Sequence, residues 1–118
     1  MLSRTALLEY IASNYAVEAE YPWKKFPRYA VFRHLGSRKW FCLIADVDKQ
    51  KIGLNGDGKI DLLNLKCPPE LIDSLRQAKG FLPAYHMNKT HWLSIVLDGS
   101  VPYSEIFELL DISFRLTQ

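Results

Sequence analysis

Apolar residues recur at helical spacing near the start of the chain, where Leu7, Leu8, Ile11 and Tyr15 fall on one face. Ser3 is placed to cap that helix, which should run to about Tyr15. Leu2 before the cap and Leu7 within the helix are positioned to form a hydrophobic staple. The period then changes. Tyr29 to His34 and Lys39 to Val47 are rich in aromatic and β-branched residues, and Leu35-Gly36-Ser37-Arg38 between them reads as a hairpin loop containing glycine. Ile60 to Leu65 is a third strand, introduced by the turn signal Asn55-Gly56-Asp57-Gly58. Pro68-Pro69 opens a second helix through about Lys79, with Leu71, Ile72 and Leu75 inward and Gly80 placed to end it. Phe81 to Tyr85 reads as a short edge strand interrupted at Pro83. Trp92 to Leu97 is a further strand, closed by Asp98-Gly99. Ser100 and Pro102 start a last amphipathic helix with Ile106, Phe107, Leu110 and Phe114 facing the core.

The order is therefore α-β-β-β-α-β(β)-α. Hairpin-linked strands followed by helices predict an α+β, two-layer sandwich, an antiparallel sheet with helices packed on it. At 118 residues, 48% of them hydrophobic and 24% charged, the chain suits one domain spanning 1–118 and can bury a core without staples. No apolar run is long enough to cross a bilayer. Met1-Leu2-Ser3-Arg4 lacks the charged head and long apolar stretch of a signal peptide. The two cysteines, Cys42 and Cys67, form no framework, and Cys42 lies in an apolar run where a thiol acts as a small hydrophobe. A monomer in the cytoplasm is the expectation.

Net charge is only +2, but its distribution is uneven. Lys24, Lys25, Arg28, Arg33, Arg38 and Lys39 occur between Pro22 and Ile44 with no acid among them, whereas Glu105, Glu108 and Asp111 weight the C-terminal segment. A basic β-hairpin region of this kind is either a solvated strand face and turn or a surface that attracts polyanions. As a nucleic-acid surface it would neutralise phosphates, DNA among them, with Lys89 adding a contact and Trp40 stacking on a base.

Other chemistry finds little support. Asn55-Gly56-Asp57-Gly58-Lys59-Ile60-Asp61 resembles the middle of a calcium loop. Gly53 and Asn64 stand where that loop needs an acid and a bidentate glutamate, so a turn is the better reading. Cys42, Cys67, His34, His86 and His91 show no zinc-ligand spacing. No nucleophile elbow, Walker loop or dinucleotide fingerprint is present. The expectation is a binding protein rather than an enzyme, with no catalytic residues, no metal and no cofactor.

The run Tyr85-His86-Met87-Asn88-Lys89-Thr90-His91-Trp92 crowds polar and cationic groups beside an indole. It is either a recognition loop or a structural turn, since Asn88 can satisfy turn backbone and Trp92 can be core. As recognition, it makes a small-molecule or peptide pocket from Trp23, Tyr85, His86, Asn88, His91 and Trp92. An interaction module using an exposed sheet or helix face is a further alternative.

His86-Met87-Asn88-Lys89-Thr90-His91-Trp92 followed by Leu97-Asp98-Gly99-Ser100 resembles the C-terminal signature of MmcQ/YjbR-like proteins. Lys66-Cys67-Pro68-Pro69-Glu70 and Lys25-Phe26-Pro27 resemble that family too. The resemblance implies an antiparallel sheet covered by helices, a place near the CyaY-like (frataxin-like) folds, and DNA binding, a role attached to the family by fold comparison. The frataxin comparison implies iron held by an acidic first helix. Here that helix has only Glu9, with Glu18 and Glu20 beyond it, so iron is not expected.

Overall fold

The computed structural model describes residues 3–118, so the staple between Leu2 and Leu7 lies outside the described residues. Ser3 Oγ accepts the Ala6 N–H at 3.1 Å and starts helix α1, Arg4–Tyr15, which ends where Ala16 turns left-handed. Leu7 and Ile11 are fully buried, with Leu8 and Tyr15 packed at the core's edge. Strands β1 (Ala30–Arg33), β2 (Trp40–Asp48) and β3 (Lys59–Lys66) follow, with a 3-10 turn at Lys49–Ile52. Then come helix α2 (Pro69–Leu75), strands β4 (Phe81–Pro83) and β5 (Trp92–Val96), and helix α3 (Tyr103–Leu116). The strands form one antiparallel sheet in the order β1-β2-β3-β5-β4. The α+β fold and the element order are those the sequence predicts.

Boundaries differ in two helices. Helix α2 stops at Leu75 rather than Lys79, because Arg76 to Lys79 are exposed and have no apolar face to bury. Tighter i−3 bonds from Gln77 and Ala78 close it. Helix α3 begins at Tyr103 rather than Ser100. The Ser100 N–H donates to Asp98 Oδ1 at 2.9 Å, which holds Asp98-Gly99-Ser100 as a turn and leaves Pro102 at the N-cap.

All three helices contribute to the core on one face of the sheet, where Leu7, Ile11, Ile72, Ile106 and Leu110 meet Phe32, Ile44, Leu63, Leu65, Leu93 and Ile95. Phe107 and Phe114 are half-buried at its margin, Phe107 stacked on Tyr10 and Phe114 on Tyr15. Ser113 of α3 ties the layers together. Its hydroxyl donates to the Phe41 carbonyl at 2.5 Å and accepts the Lys66 N–H at 2.9 Å.

The opposite face carries no α-helix among the described residues. A smaller cluster there, Ala45, Val47, Leu62 and Val96, is covered by Tyr29, Ile52, Leu54, Leu82 and Tyr85 from loops and the edge strand. A β-bulge decides what else reaches this face. Phe32 pairs with Cys42 but Arg33 pairs with Trp40, so Phe41 is an extra residue in β2. Phe41 and Cys42 thus both point under the helices, fully buried, and Trp40 is turned to the side of Leu43. Without the extra residue, strict alternation would place Trp40 with Cys42 in the core. The turn before β2 prepares this step: Arg38, not Gly36, takes the left-handed conformation (φ 65°), and the His34 N–H closes on the Lys39 carbonyl at 2.9 Å.

Candidate ligand cleft

On this second face of the sheet lies an open cleft of about 460 Å³, a size that suits a small organic ligand. Leu43 and Val47 of β2 floor it, and Trp40 stands at one end. One wall comes from the segment before β1, folded as two successive turns. The Phe26 N–H bonds the Trp23 carbonyl at 3.2 Å, and the Tyr29 N–H bonds the Phe26 carbonyl at 3.0 Å. Every third residue, Trp23, Phe26 and Tyr29, therefore lines the cleft, while the corners carry Lys24, Lys25, Pro27 and Arg28. The rings hold one another. Phe26 stacks on Tyr29 at 4.6 Å, and Trp23 stands edge-on to Tyr29 at 6.1 Å and to Trp40 at 5.6 Å. The Arg33 guanidinium lies 5.5 Å from the Trp40 ring centre.

Tyr85, His86 and Met87 make the other wall. His86 adopts a left-handed backbone (φ 57°) and packs edge-on against Tyr85 at 4.1 Å. The wall is anchored beneath by two buried polar side chains on the sheet. Asn64 Nδ2 donates to the Tyr85 carbonyl at 3.0 Å, and Ser94 Oγ accepts the Tyr85 N–H at 3.0 Å. Both groups would otherwise leave unpaired donors and acceptors in an apolar layer.

Asp46, Asp48, Lys51 and Lys59 complete the lining, and each carboxylate there has a cationic neighbour. Lys51 lies 3.8 Å from Asp48, Lys59 lies 3.9 Å from Asp46, and Arg28 lies 3.4 Å from Asp46. Burial first, then Tyr85, Asp46 and Asp48, raise the Tyr29 hydroxyl above its ordinary value, so it stays a neutral donor.

The structure separates the residues singled out in the sequence. Trp23, Tyr85 and His86 come together in the cleft; Asn88, His91 and Trp92 do not. Asn88 Oδ1 accepts the Thr90 and His91 N–H groups at 2.8 and 3.3 Å, so this side chain organises the turn into β5. His91 is exposed, with its carbonyl bonded by the Cys67 N–H, and Trp92 is half-buried opposite Lys66 on β3. Phe26, Tyr29, Leu43, Val47 and Met87 were not singled out. The spacing of three aromatics at turn intervals, 23, 26 and 29, is the signal that could have found the first two.

The basic stretch is acid-free only along the chain. In space, Glu20 reaches Arg33 at 3.4 Å and Arg38 at 3.1 Å, and Asp46 and Asp61 flank Arg28. An isolated bridge between Glu20 and Val31 brings that carboxylate alongside β1. Lys24, Lys25, Lys39 and Lys89 form no ion pair among the described residues. Lys89 borders a separate depression with Ile52 and Leu82, which shares Lys51, Tyr85 and His86 with the cleft.

Both thiols are buried under the helices, and burial raises them, Cys42 well above its ordinary value and Cys67 to about 12, so neither is a poised nucleophile. Among the described residues, no three His, Cys, Asp or Glu side chains gather as metal ligands. No helix among them is long and apolar enough to cross a membrane.

Comparison with known proteins extends the likeness along almost the whole chain. The family model described as YjbR matches residues 12–116. The uncharacterized protein YyaQ of Bacillus subtilis (strain 168) is 48% identical over 118 residues, covering 100% of both chains. The uncharacterized protein YjbR of Escherichia coli (strain K12) is 44% identical over 54 residues, 45% of this chain and 46% of that protein. A crystal structure of a Pseudomonas syringae protein superposes with a TM-score of 0.96 at 45% identity, covering 98% of this chain and 99% of that one. A Deinococcus radiodurans protein superposes with a TM-score of 0.74 at 28% identity, covering 98% and 78%.

Proposed function

The chain belongs to the YjbR family, and from that premise we propose that it is a non-enzymatic binding protein taking a small ligand into the aromatic cleft. The observation that carries this reading is the convergence of Trp23, Phe26, Tyr29, Trp40, Tyr85 and Met87, from three separate segments, around one opening. Such side chains normally enter the core, and Phe26 is 48% exposed. A rigid frame of mutually packed rings over an anchored floor is the arrangement that binds flat apolar groups at low ordering cost. The two buried, unreactive thiols support a reducing, cytoplasmic setting. Both sheet edges are protected, β4 by its length and Pro83 and β1 by the Glu20 bridge, which supports a monomer.

Titration with indole as a probe, followed by amide shifts, tests the reading. Shifts should concentrate at Trp23, Tyr29, Trp40, Val47 and Tyr85. Scattered or absent shifts would sink it.

DNA binding, with the CyaY-like kinship that accompanies it, is the second reading. Among the described residues Lys24, Lys25 and Lys39 form no ion pair, and they neighbour Phe26 and Trp40 along the chain, which favours single strands whose bases stack on rings. Arg28, Arg33 and Arg38 already hold carboxylates, which weakens it relative to the cleft. Binding of a single-stranded oligonucleotide that does not fall between low and moderate salt would exclude it.

A further inference from the structure

We propose that the cleft's ligand is a planar aromatic anion, its ring held between the aromatic walls and its acidic group at Lys24 and Lys25. This rests on the cleft being the binding site, and it follows from where charge is and is not compensated. Asp46 and Asp48 would attract a cation, but Lys59 with Arg28 and Lys51 already stand against them. Among the described residues Lys24 and Lys25 have no such partner, and they form the corners of the tight turn whose two ends, Trp23 and Phe26, wall the cleft. A lysine side chain reaches about 6 Å from its Cα, so an ammonium at either corner can meet an oxyanion projecting from the mouth. The turn at the cleft's border thus adds two uncompensated lysines, while within the lining Asp46 and Asp48 are balanced by Lys59 and Lys51 beside the aromatic rings.

A planar ring suits a cleft lined by aromatic side chains. Trp23 lies at 79° to Tyr29 and at 81° to Trp40, so these rings cross-brace one another and hold that wall in place. One face of Trp40 already has the Arg33 cation over it. Tyr29, half-buried in the lining and kept neutral, offers a hydroxyl donor.

The test uses one ring system at several charges: indole, indole-3-acetate, 3-indoxyl phosphate and tryptamine, each titrated by amide shifts and tryptophan fluorescence at low and moderate salt. Both anions should bind about three- to tenfold more tightly than indole at low salt, with the advantage shrinking as salt rises, and tryptamine more weakly than indole. A phosphate preferred over the carboxylate would assign the acidic group as phosphoryl; the reverse would assign it as carboxyl. In the Lys24→Ala/Lys25→Ala double variant, at two exposed turn corners, the anion advantage should disappear while indole affinity is unchanged. Equal affinity for all four probes, tightest binding by tryptamine, or an anion advantage that survives the double variant would overturn the inference and leave the cleft standing. If no probe shifts the cleft residues, the cleft reading falls and the inference with it.

Discussion

Asn64 on β3 and Ser94 on β5 face each other in register, and Ser94 Oγ donates to Asn64 Oδ1 at 2.5 Å. Ser94 Oγ also accepts the Tyr85 N–H, and Asn64 Nδ2 donates to the Tyr85 carbonyl, so a closed polar triangle fastens one cleft wall to the sheet. Asn64→Ala should cost about 1–3 kcal/mol of stability, because the Tyr85 carbonyl and the Ser94 hydroxyl lose buried partners. It should also weaken the indole response at Tyr85. Urea unfolding of the two single variants and of Asn64→Ala/Ser94→Ala checks this, with the double variant costing less than the sum.

Glu20 holds two arginines of the basic stretch. Glu20→Gln should release Arg33 and Arg38, so affinity for single-stranded DNA should rise and its salt dependence steepen by up to about two charges. Stability should change by less than about 1 kcal/mol, since the Arg38 pair is largely exposed. A salt slope identical to wild type would show that these arginines do not reach phosphate.

His34 is buried at the C-terminal end of α3, with Nε2 at 2.8 Å from Thr117 Oγ1. The Thr117 hydroxyl donates its proton to the Ser113 carbonyl at 2.7 Å, so His34 Nε2 is the donor in this pair. Burial, opposed by the Phe114 carbonyl and aided by Lys39, lowers the imidazole below its ordinary value. The unfolded chain therefore binds a proton first as pH falls. The stability contributed by neutral His34 is complete above about pH 6.5 and is lost as pH drops toward the lower folded value. Urea midpoints at pH 7.5 and 5 should differ more for wild type than for His34→Gln.

Two glycines should respond oppositely to alanine. Gly80 has φ +94°, and a Cβ there would lie 2.7 Å from Val101 Cγ2 and 3.0 Å from Ser100 Cβ. Gly80→Ala should cost more than about 1 kcal/mol. Gly36 has nothing within 4 Å and no left-handed backbone, so Gly36→Ala should be neutral or stabilise by up to about 1 kcal/mol. Thermal denaturation separates the two.

Much of the fold was legible because it is local. The Ser3 cap, the Leu7–Ile11 stripe and the β-branched runs each bias their own segment. Helix α2 read too long because Gln77, Ala78 and Lys79 have adequate helical preference but nothing to bury, and burial is what sustains a short helix. The site was legible only in part. Trp23, Tyr85 and His86 were identified, but Asn88, His91 and Trp92 were grouped with them on sequence proximity alone, and a turn sends neighbouring side chains in different directions.

The basic stretch and the aromatic cleft mark the division. By itself, the chain determined the order and type of the strands and helices, and that aromatic and cationic groups alternate between Trp23 and Trp40. Only the tertiary structure decided their roles, because both depend on pairings between distant positions. The Glu20–Val31 bridge sets a carboxylate against Arg33 and Arg38, and the extra residue Phe41 reverses the face of Trp40. In a strand with a two-residue repeat, one inserted residue moves a side chain from core to cleft, and that insertion exists only relative to the neighbouring strand.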